Sequence, residues 1–505
     1  MTAGTLLAID LGSTVTKAVV WSEDGPVGVG RSMLRTDRRA GGLAEQDPTQ
    51  WWGSVGSACR DATAEAGGTA ARAIRGVVFS AARQTFALVD DHGDALRPGI
   101  MWSDRRAVAE ADDLASSCGG RDAVRRTTGA FLDASSPAAK LAWLDKHEPD
   151  VMRRARWMLT PRDFVVQKMT GEVATDLTLA QSSGMYDSSL EVVPGLAGRF
   201  DDMLPPVLAS SAVGGILRSD AADELQIASG LPVVMGAGDR PCEVLGTGAG
   251  PRRPMVSWGT TANVSVPTDE WPEVSGLGLV VSRGGAGGFL IEAGMSSAGS
   301  FLDWLASVGA ESSVPAELSM ATALSSLLER ALGSPPGANG VTAVSWLGGA
   351  RAPWWRDDAR GAFVGLSPEH TLGDMARAVV EAVAFEADRC LRAVDAAVGS
   401  RATALAMAGG SAMAMWPDIL AAVTGLPARG RRSGLAAAAG AALVAGQATG
   451  VDLDMELALE RLDPAGNEVL PDPFLVERYE AIRPVADRVA EAVLGLGLSG
   501  DGGAT

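Results

Sequence analysis

One pattern occurs twice in this chain and constrains its fold more than any other feature. Near the start, the apolar run Leu6-Leu7-Ala8-Ile9 leads into a turn at Leu11-Gly12-Ser13-Thr14, and alternation resumes from Val15 to Trp21. About half a chain later, Met255-Val256-Ser257-Trp258 leads into Gly259-Thr260-Thr261 and a returning strand from Asn263 to Val266. Strand, small-residue turn, strand is a hairpin signal. Its recurrence at the head of each half predicts a duplicated architecture. The Gly- and Pro-rich stretch Gly246 to Pro254 marks the boundary, near residues 245–255.

Between these units, strands and helices alternate. A second turn at Glu23-Asp24-Gly25 leads to a strand near Val27 to Met33. Asp47 and Pro48 form a helix start, with the acid as N-cap and the proline at the first helical position. Gly76 to Ser80 reads as a buried strand, and Ala87 to Trp102 as a hairpin turning at Asp91-His92-Gly93. In Asp374 to Val398, the residues Met375, Val379, Val383, Ala387, Leu391 and Val394 recur at helical spacing. Leu405 to Met407 is a further strand, and Pro417 to Val423 a helix. The expected fold class is α/β, with two layered domains, and the last residues (GLGLSGDGGAT) read as a loose tail.

Composition narrows the functional classes. The 505 residues allow two to four domains at ~150 residues each. With 61 acidic against 43 basic side chains, net charge -18, the chain offers no basic field to nucleic acid. No apolar run approaches the ~20 residues that span a bilayer, and the first residues lead straight into a strand, so a cytoplasmic protein with no membrane partner is expected. Cys59, Cys118, Cys242 and Cys390 lie far apart without a CxxC pair, as do His92, His147 and His370. That scatter argues against a disulfide frame, a zinc site and a Ser-His-Asp mechanism. Glycine is abundant at 62 residues, and genome composition is the simplest cause. Only glycines in strand–turn contexts carry an argument.

Four such contexts stand out. In Asp10-Leu11-Gly12-Ser13-Thr14-Val15-Thr16-Lys17, a carboxylate at a strand end precedes a turn whose N–H groups could approach a phosphate, while the acid holds Mg²⁺ through water. A plain hairpin turn would read the same. Gly236-Ala237-Gly238-Asp239 follows the apolar strand Pro232 to Met235 and sets an acid where the strand enters a helix. There Asp239 is either a base for an attacking hydroxyl or a helix N-cap. Gly259-Thr260-Thr261 and Gly409-Gly410-Ser411 each follow a strand and could cradle phosphate or adenine. No Walker A sequence is present, and no GxGxxG opens a βαβ unit with a suitably placed acid.

Taken in order, these segments resemble the FGGY carbohydrate kinase family, within the actin-like ATPase superfamily. The resemblance runs from Leu6 to about Pro484. It includes Leu96 to Arg106, the signature Ser135-Ser136-Pro137-Ala138-Ala139-Lys140-Leu141-Ala142-Trp143-Leu144, Arg351-Ala352-Pro353-Trp354-Trp355, Asp358 to Leu366, and Gly409-Gly410-Ser411 with Trp416. Xylulokinase-type members are the most similar, with gluconate kinases next.

The resemblance implies two actin-like (ribonuclease H-like) domains with an ATP/sugar cleft between them. Residues 1–247 would carry the sugar site, the first phosphate loop and the catalytic acid. Residues 248–490 would carry the second phosphate and adenosine loops, and 491–505 the tail. It implies ATP and Mg²⁺, transfer to a pentulose such as xylulose or a related polyol, and a homodimer as in many relatives. Asp239 falls at the catalytic base, Asp10 at the acid near Mg²⁺, and Gly12, Ser13 and Thr14 at the first phosphate loop, with Lys17 ending its strand. Gly259, Thr260 and Thr261 fall at the second phosphate loop, and Gly409 and Gly410 at the adenosine loop.

The sugar contacts depart from the family pattern. Where xylulokinases commonly carry Gln-Met-His-Gly, this chain has Ser80-Ala81-Ala82-Arg83-Gln84-Thr85. The glycerol-contacting tyrosine of glycerol kinases falls at Ser135. Arg240 follows the catalytic acid where Asn or Gln is usual. Arg83, Gln84 and Arg240 could turn the cleft toward a sugar acid such as gluconate, or the arginines could pair with neighbouring carboxylates and only shape it. Trp102 is expected as an apolar wall against sugar C–H faces. A nucleotide-switched or sugar-sensing protein without turnover is the alternative of another class.

Overall fold

The structure, a computed structural model, describes residues 4–309, 316–409, 415–430, 434–451, 454, 457 and 468–497. Two sheets organise it. In the first half, β1 (Thr5–Leu11), β2 (Val15–Ser22) and β3 (Gly25–Met33) form an antiparallel meander. Against β1 lies β4 (Ile74–Ala81), parallel to it, and the sheet continues through β5 (Val213–Ile216) and β6 (Pro232–Gly238) in the order β5-β6-β4-β1-β2-β3. In the second half, β7 (Met255–Trp258), β8 (Ala262–Thr268), β9 (Val280–Arg283) and β10 (Phe289–Met295) are mutually antiparallel. Beside β7 run β11 (Leu405–Ala408) and β12 (Ala428–Gly430), both parallel, and then antiparallel β13 (Glu468–Val469), giving β9-β10-β8-β7-β11-β12-β13. A meander, two parallel strands and a closing antiparallel strand therefore occur twice, and the duplication expected from the two hairpins is present.

Local signals explain where the helices start. Helix α1 (Pro48–Arg72) opens with Asp47 accepting from the Thr49 N–H at 2.9 Å and Pro48 in the first turn. It covers one face of the first sheet with Trp51, Val55, Ala58 and Ala62. Two shorter helices, α2 (Arg121–Thr128) and α3 (Pro137–His147), lie in the long excursion between β4 and β5. Helix α4 (Asp239–Thr247) leaves β6 directly and ends at Gly248, and β7 begins at Met255. In the second half α5 (Gly299–Gly309) precedes α6 (Leu372–Val398), which Thr371 and Asp374 open as a reciprocal capping box. Periodicity read α6 as one apolar stripe, but Ala378, Val380, Ala384 and Phe385 are buried too. It is enclosed on several sides because the sheet and neighbouring helices both pack on it. Helix α7 (Trp416–Thr424) follows β11.

The two halves interlock through α8 (Ala436–Thr449), a helix of the second half that lies on the first sheet beside α4. Its alanines allow the approach, and two glycines set its closeness. A Cβ on Gly246 would stand 1.9 Å from the Ala436 carbonyl oxygen, and one on Gly440 1.9 Å from that of Cys242. At this crossing the excess of small residues has a packing function as well as a compositional origin.

One local expectation is extended and another changes. The Ala87–Trp102 hairpin forms as expected, with the Leu96 N–H donating to the Leu88 carbonyl at 2.9 Å and Phe86 and Ile100 exchanging bonds of 3.2 and 2.8 Å, and Ala87–Val89 pairs in addition with Trp157–Leu159. The returning segment also contributes Gly99–Ile100, which pairs with Leu43–Gln46. Pro98 lacks the N–H that a longer ladder needs, and Arg97 is drawn instead to Glu45 and Glu148. The chain end is also more ordered than a tail from 491 implies. Helix α9 (Pro473–Gly495) runs past that point with Ala490 and Val493 buried.

Candidate active site

The site forms where strand ends of both sheets meet. Asp10 sits near the end of β1, with Lys17 across from it on β2 and Ser80 across from it on β4. The Ser80 hydroxyl donates to Asp10 Oδ1 at 3.0 Å, and Lys17 Nζ lies 3.4 Å from Oδ2. Lys17 also donates to the Gly434 carbonyl at 3.0 Å, a contact that joins the two halves. Burial pushes the Asp10 carboxyl above its ordinary pKa against the pull of Lys17 and Ser80, and the charge of Asp239 adds to the push.

The turn after Asp10 is held from outside. Gln46 Nε2 donates to the Ser13 carbonyl at 2.7 Å, and the Trp102 indole N–H donates to Ser13 Oγ at 3.0 Å. The backbone N–H groups of Gly12, Ser13 and Thr14 find no acceptor among the described residues, the condition for an anion-binding turn. In the second half, Gly259 N–H closes its own turn on the Thr261 carbonyl at 2.8 Å. The Thr260 carbonyl takes the N–H groups of Ala298 and Ser300 at 3.1 Å each, at the start of α5. Gly259 and Thr260 are exposed there. Gly409 follows β11 at φ +107, where a Cβ would stand 1.9 Å from the Trp258 carbonyl oxygen. Gly410 lies outside the described residues.

Asp239 is the first residue of α4, and Gly238 rather than Asp239 is the cap residue. Its carboxylate accepts from the Arg240 N–H at 2.7 Å, and its side chain is 44 % exposed. It is therefore open to a ligand, unlike the buried Asp10. Arg83 Nε lies 3.5 Å from Asp239 Oδ1. The fork of Arg83 is already occupied: Nη1 and Nη2 donate to Glu292 Oε1 and Oε2 at 2.8 and 2.7 Å. Burial alone would raise the Glu292 carboxyl, but Arg83 and the Ser282 hydroxyl hold it below its ordinary pKa. Arg240 pairs with Glu243 at 2.5 Å. Burial, with Asp239 and Asp10 nearby, pushes the Glu243 carboxyl up despite that pairing.

Beside Arg83 opens a cleft of about 140 Å³ between the halves, lined by Gln84, Asp133 and Ser135 from the first and by Asn263, Glu292 and Arg351 from the second. Gln84 reaches it from a backbone at φ +60, uncommon for a side chain of its size. Trp102 does not line this cleft. Its indole N–H holds the Ser13 turn, and its backbone N–H donates to Thr85 Oγ1 at 3.0 Å. Sequence reasoning did not single out Glu292, Ser80, Asn263 or Glu243. For Glu292 a signal existed, since it is the one acid in the apolar strand Phe289–Met295, and such a residue needs a partner. Among the described residues, no three His, Cys, Asp or Glu side chains gather as a metal site, and no helix is long and apolar enough to cross a membrane.

Residues 5–246 match the N-terminal domain, and residues 255–449 the C-terminal domain, of the FGGY family of carbohydrate kinases. The chain is 28% identical over 493 residues to a xylulose kinase of Klebsiella pneumoniae, covering 96% of this chain and 98% of that protein. It is 30% identical over 479 residues to a glycerol kinase of Leptothrix cholodnii, covering 88% and 91%. The crystal structure of xylulose kinase from Rhodospirillum rubrum superposes with TM-score 0.85 at 26% identity, over 98% of this chain and 99% of that one.

Proposed function

The chain belongs to the FGGY family of carbohydrate kinases, and from that membership we propose that it transfers the γ-phosphate of ATP to a hydroxyl of a pentulose such as xylulose, with Asp239 as the base. The observation that carries this reading is the position of Asp239. It is an accessible carboxylate at a helix start, close enough to Asp10 to influence its charge, beside a small polar cleft between the halves.

Asp239 accepts the proton of the attacking hydroxyl while that oxygen bonds to the γ-phosphorus, and the bond to the bridging oxygen breaks to release ADP. The free N–H groups of the Gly12–Thr14 turn, with the Gly259–Thr261 turn opposite, are suited to hold the phosphates, and Gly409 to border the adenosine. Closing the halves on each other excludes water that would otherwise take the phosphate. Mg²⁺ brought with the nucleotide supplies charge neutralisation across the phosphates. Asp10 fits it as a carboxylate acting through water, since a single acid and retained water ligands suit that ion.

The xylulose kinases among the relatives support the pentulose class. The site's own charges support a neutral acceptor over a sugar acid, because Arg83 is forked onto Glu292 and Arg240 is paired with Glu243. A composition without metal- or disulfide-type cysteine spacing suits a cytoplasmic enzyme. The test is ATP consumption measured across ketoses, polyols and aldonates. Turnover with a pentulose at kcat/KM at least about tenfold above any aldonate is expected. Preference for an aldonate would overturn the substrate class, and no sugar-dependent turnover at all would favour a non-catalytic protein.

A further inference from the structure

The far end of the cleft is closed by an aromatic pair contributed by both halves. Phe131, in the loop between α2 and α3, stacks on Trp355 with ring centroids 3.7 Å apart and planes at 24°. Both line the inner cleft of about 140 Å³. Both also line a second, outer basin of about 640 Å³, which Arg121, Arg125 and Arg126 border from α2 beside Asp122 and Asp357, with Arg121 paired to Asp112 and Asp357. The stack is the partition between the two spaces.

The partition is rigidly built. The loop carrying Trp355 is closed by paired backbone bonds between Ala350 and Arg356, 2.9 Å each way. The Trp355 indole N–H donates to the Gly278 carbonyl, and its backbone sits at φ +48. A bulky residue seldom occupies that region unless its surroundings impose it, and such strain gathers at functional sites. Behind Phe131 the Arg125 guanidinium lies 5.3 Å from the ring centroid, and Arg125 is itself anchored on the Val274 carbonyl at 3.1 Å.

We propose that the Phe131–Trp355 stack sets the upper chain length of the acceptor sugar. It ends the inner cleft after a short polyol and keeps longer sugars out of the basin beyond. The inference rests on the kinase reading above and deepens it by assigning a specificity determinant. The inner cleft is small beside the ~300–1,000 Å³ of pockets that take drug-sized ligands, so one added hydroxymethyl group meets the aromatic wall. A pocket discriminates one such carbon by about tenfold or more.

The experiment compares kcat/KM of the full chain for 2-ketoses of five, six and seven carbons, and for the seven-carbon ketose carrying a terminal phosphate. The wild type should favour the five-carbon sugar by at least about tenfold over each of the others. Phe131→Ala should cut those ratios by about tenfold or more, through lower KM for the longer sugars. Phe131→Leu, which keeps most of the wall, should hold the ratios near wild type. Trp355→Gly suits the left-handed backbone and should act like Phe131→Ala. General loosening of the fold would lower activity on every sugar together and leave the ratios unchanged. Unchanged ratios in both opened variants would therefore overturn the wall while leaving the kinase reading intact. A wild type that consumes ATP with none of these sugars would overturn the pentulose reading, and the wall with it.

Discussion

Arg83 and Glu292, which are 209 residues apart in the chain, meet through two parallel hydrogen bonds of 2.8 and 2.7 Å, while Arg83 Nε stays 3.5 Å from Asp239. The pair spans the two halves, so a side chain of the second half aims a cation of the first at the proposed base. Glu292 is nearly fully buried and Arg83 only partly so. Removing one partner of a buried pair costs about 3–5 kcal/mol, and the partial exposure of Arg83 puts Glu292→Ala at the low end. Urea unfolding should show that loss. The double variant Arg83→Met with Glu292→Leu should recover much of the stability without recovering turnover. Recovery of turnover as well would remove any catalytic positioning role from the pair.

Asp239→Asn keeps the size of the side chain and removes the proton acceptor. A general base contributes about 10²–10⁴-fold, so kcat should fall by that much while ATP affinity measured by calorimetry stays within about threefold. Near-normal turnover would withdraw the assignment.

Asp10 is held at a cost to the fold. Its carboxyl is raised by burial above the ordinary value, so the folded chain binds its proton more readily than the unfolded one. From ~3.9 up to the raised value, stability therefore falls as pH rises, and above that value the loss is complete. Asp10→Asn removes this penalty while still accepting from Ser80. The variant should melt higher than wild type at pH 7 without nucleotide, and the gain should shrink as pH falls through the raised value and be gone below about pH 4. It should also lose most kinase activity. A variant less stable than wild type at pH 7 would contradict the sign.

Lys140 shows the opposite titration. It is fully buried and donates to the Met101 carbonyl at 2.7 Å and the Gln84 carbonyl at 3.3 Å. Burial pushes its ammonium down to about 7, against the pull of Asp104 and Asp133 and with the push of Arg106 and Arg105. The unfolded lysine titrates at ~10.4, so stability falls as pH drops from there to about 7 and levels below. Lys140→Met leaves two carbonyls unpaired, at about 1–3 kcal/mol each, but removes the buried cation. Its stability deficit should be largest near pH 10 and shrink toward pH 7. Thermal melts of both proteins across that range check it, and a constant deficit would show that the lysine stays charged.

The parts of the site legible in the sequence were those built from neighbours along the chain. The turn at Gly12-Ser13-Thr14 and the strand-to-helix junction at Asp239 are local events, written in glycine placement and apolar runs. The bond from the Trp102 indole N–H to Ser13 was not legible, because the two residues are far apart along the chain. The Ala87–Trp102 hairpin was legible because its turn and returning bonds are local, whereas its further pairing with Trp157–Leu159, far along the chain, was not.

By itself, the sequence determined the doubled α/β plan, the small-residue turns after the strands and the acid at a strand-to-helix junction, because hairpins, caps and strand–helix junctions are decided over a few residues. Only the tertiary structure decided what the arginines do. Arg83 is free or occupied according to whether a carboxylate from the other half reaches it, and Glu292 does. The aromatic partition was decided in the same way, since Phe131 and Trp355 come from different halves and meet only when these pack together. A burial cost or a stacking gain exists only between groups brought into contact, and no pattern along one strand or helix records which distant groups those will be.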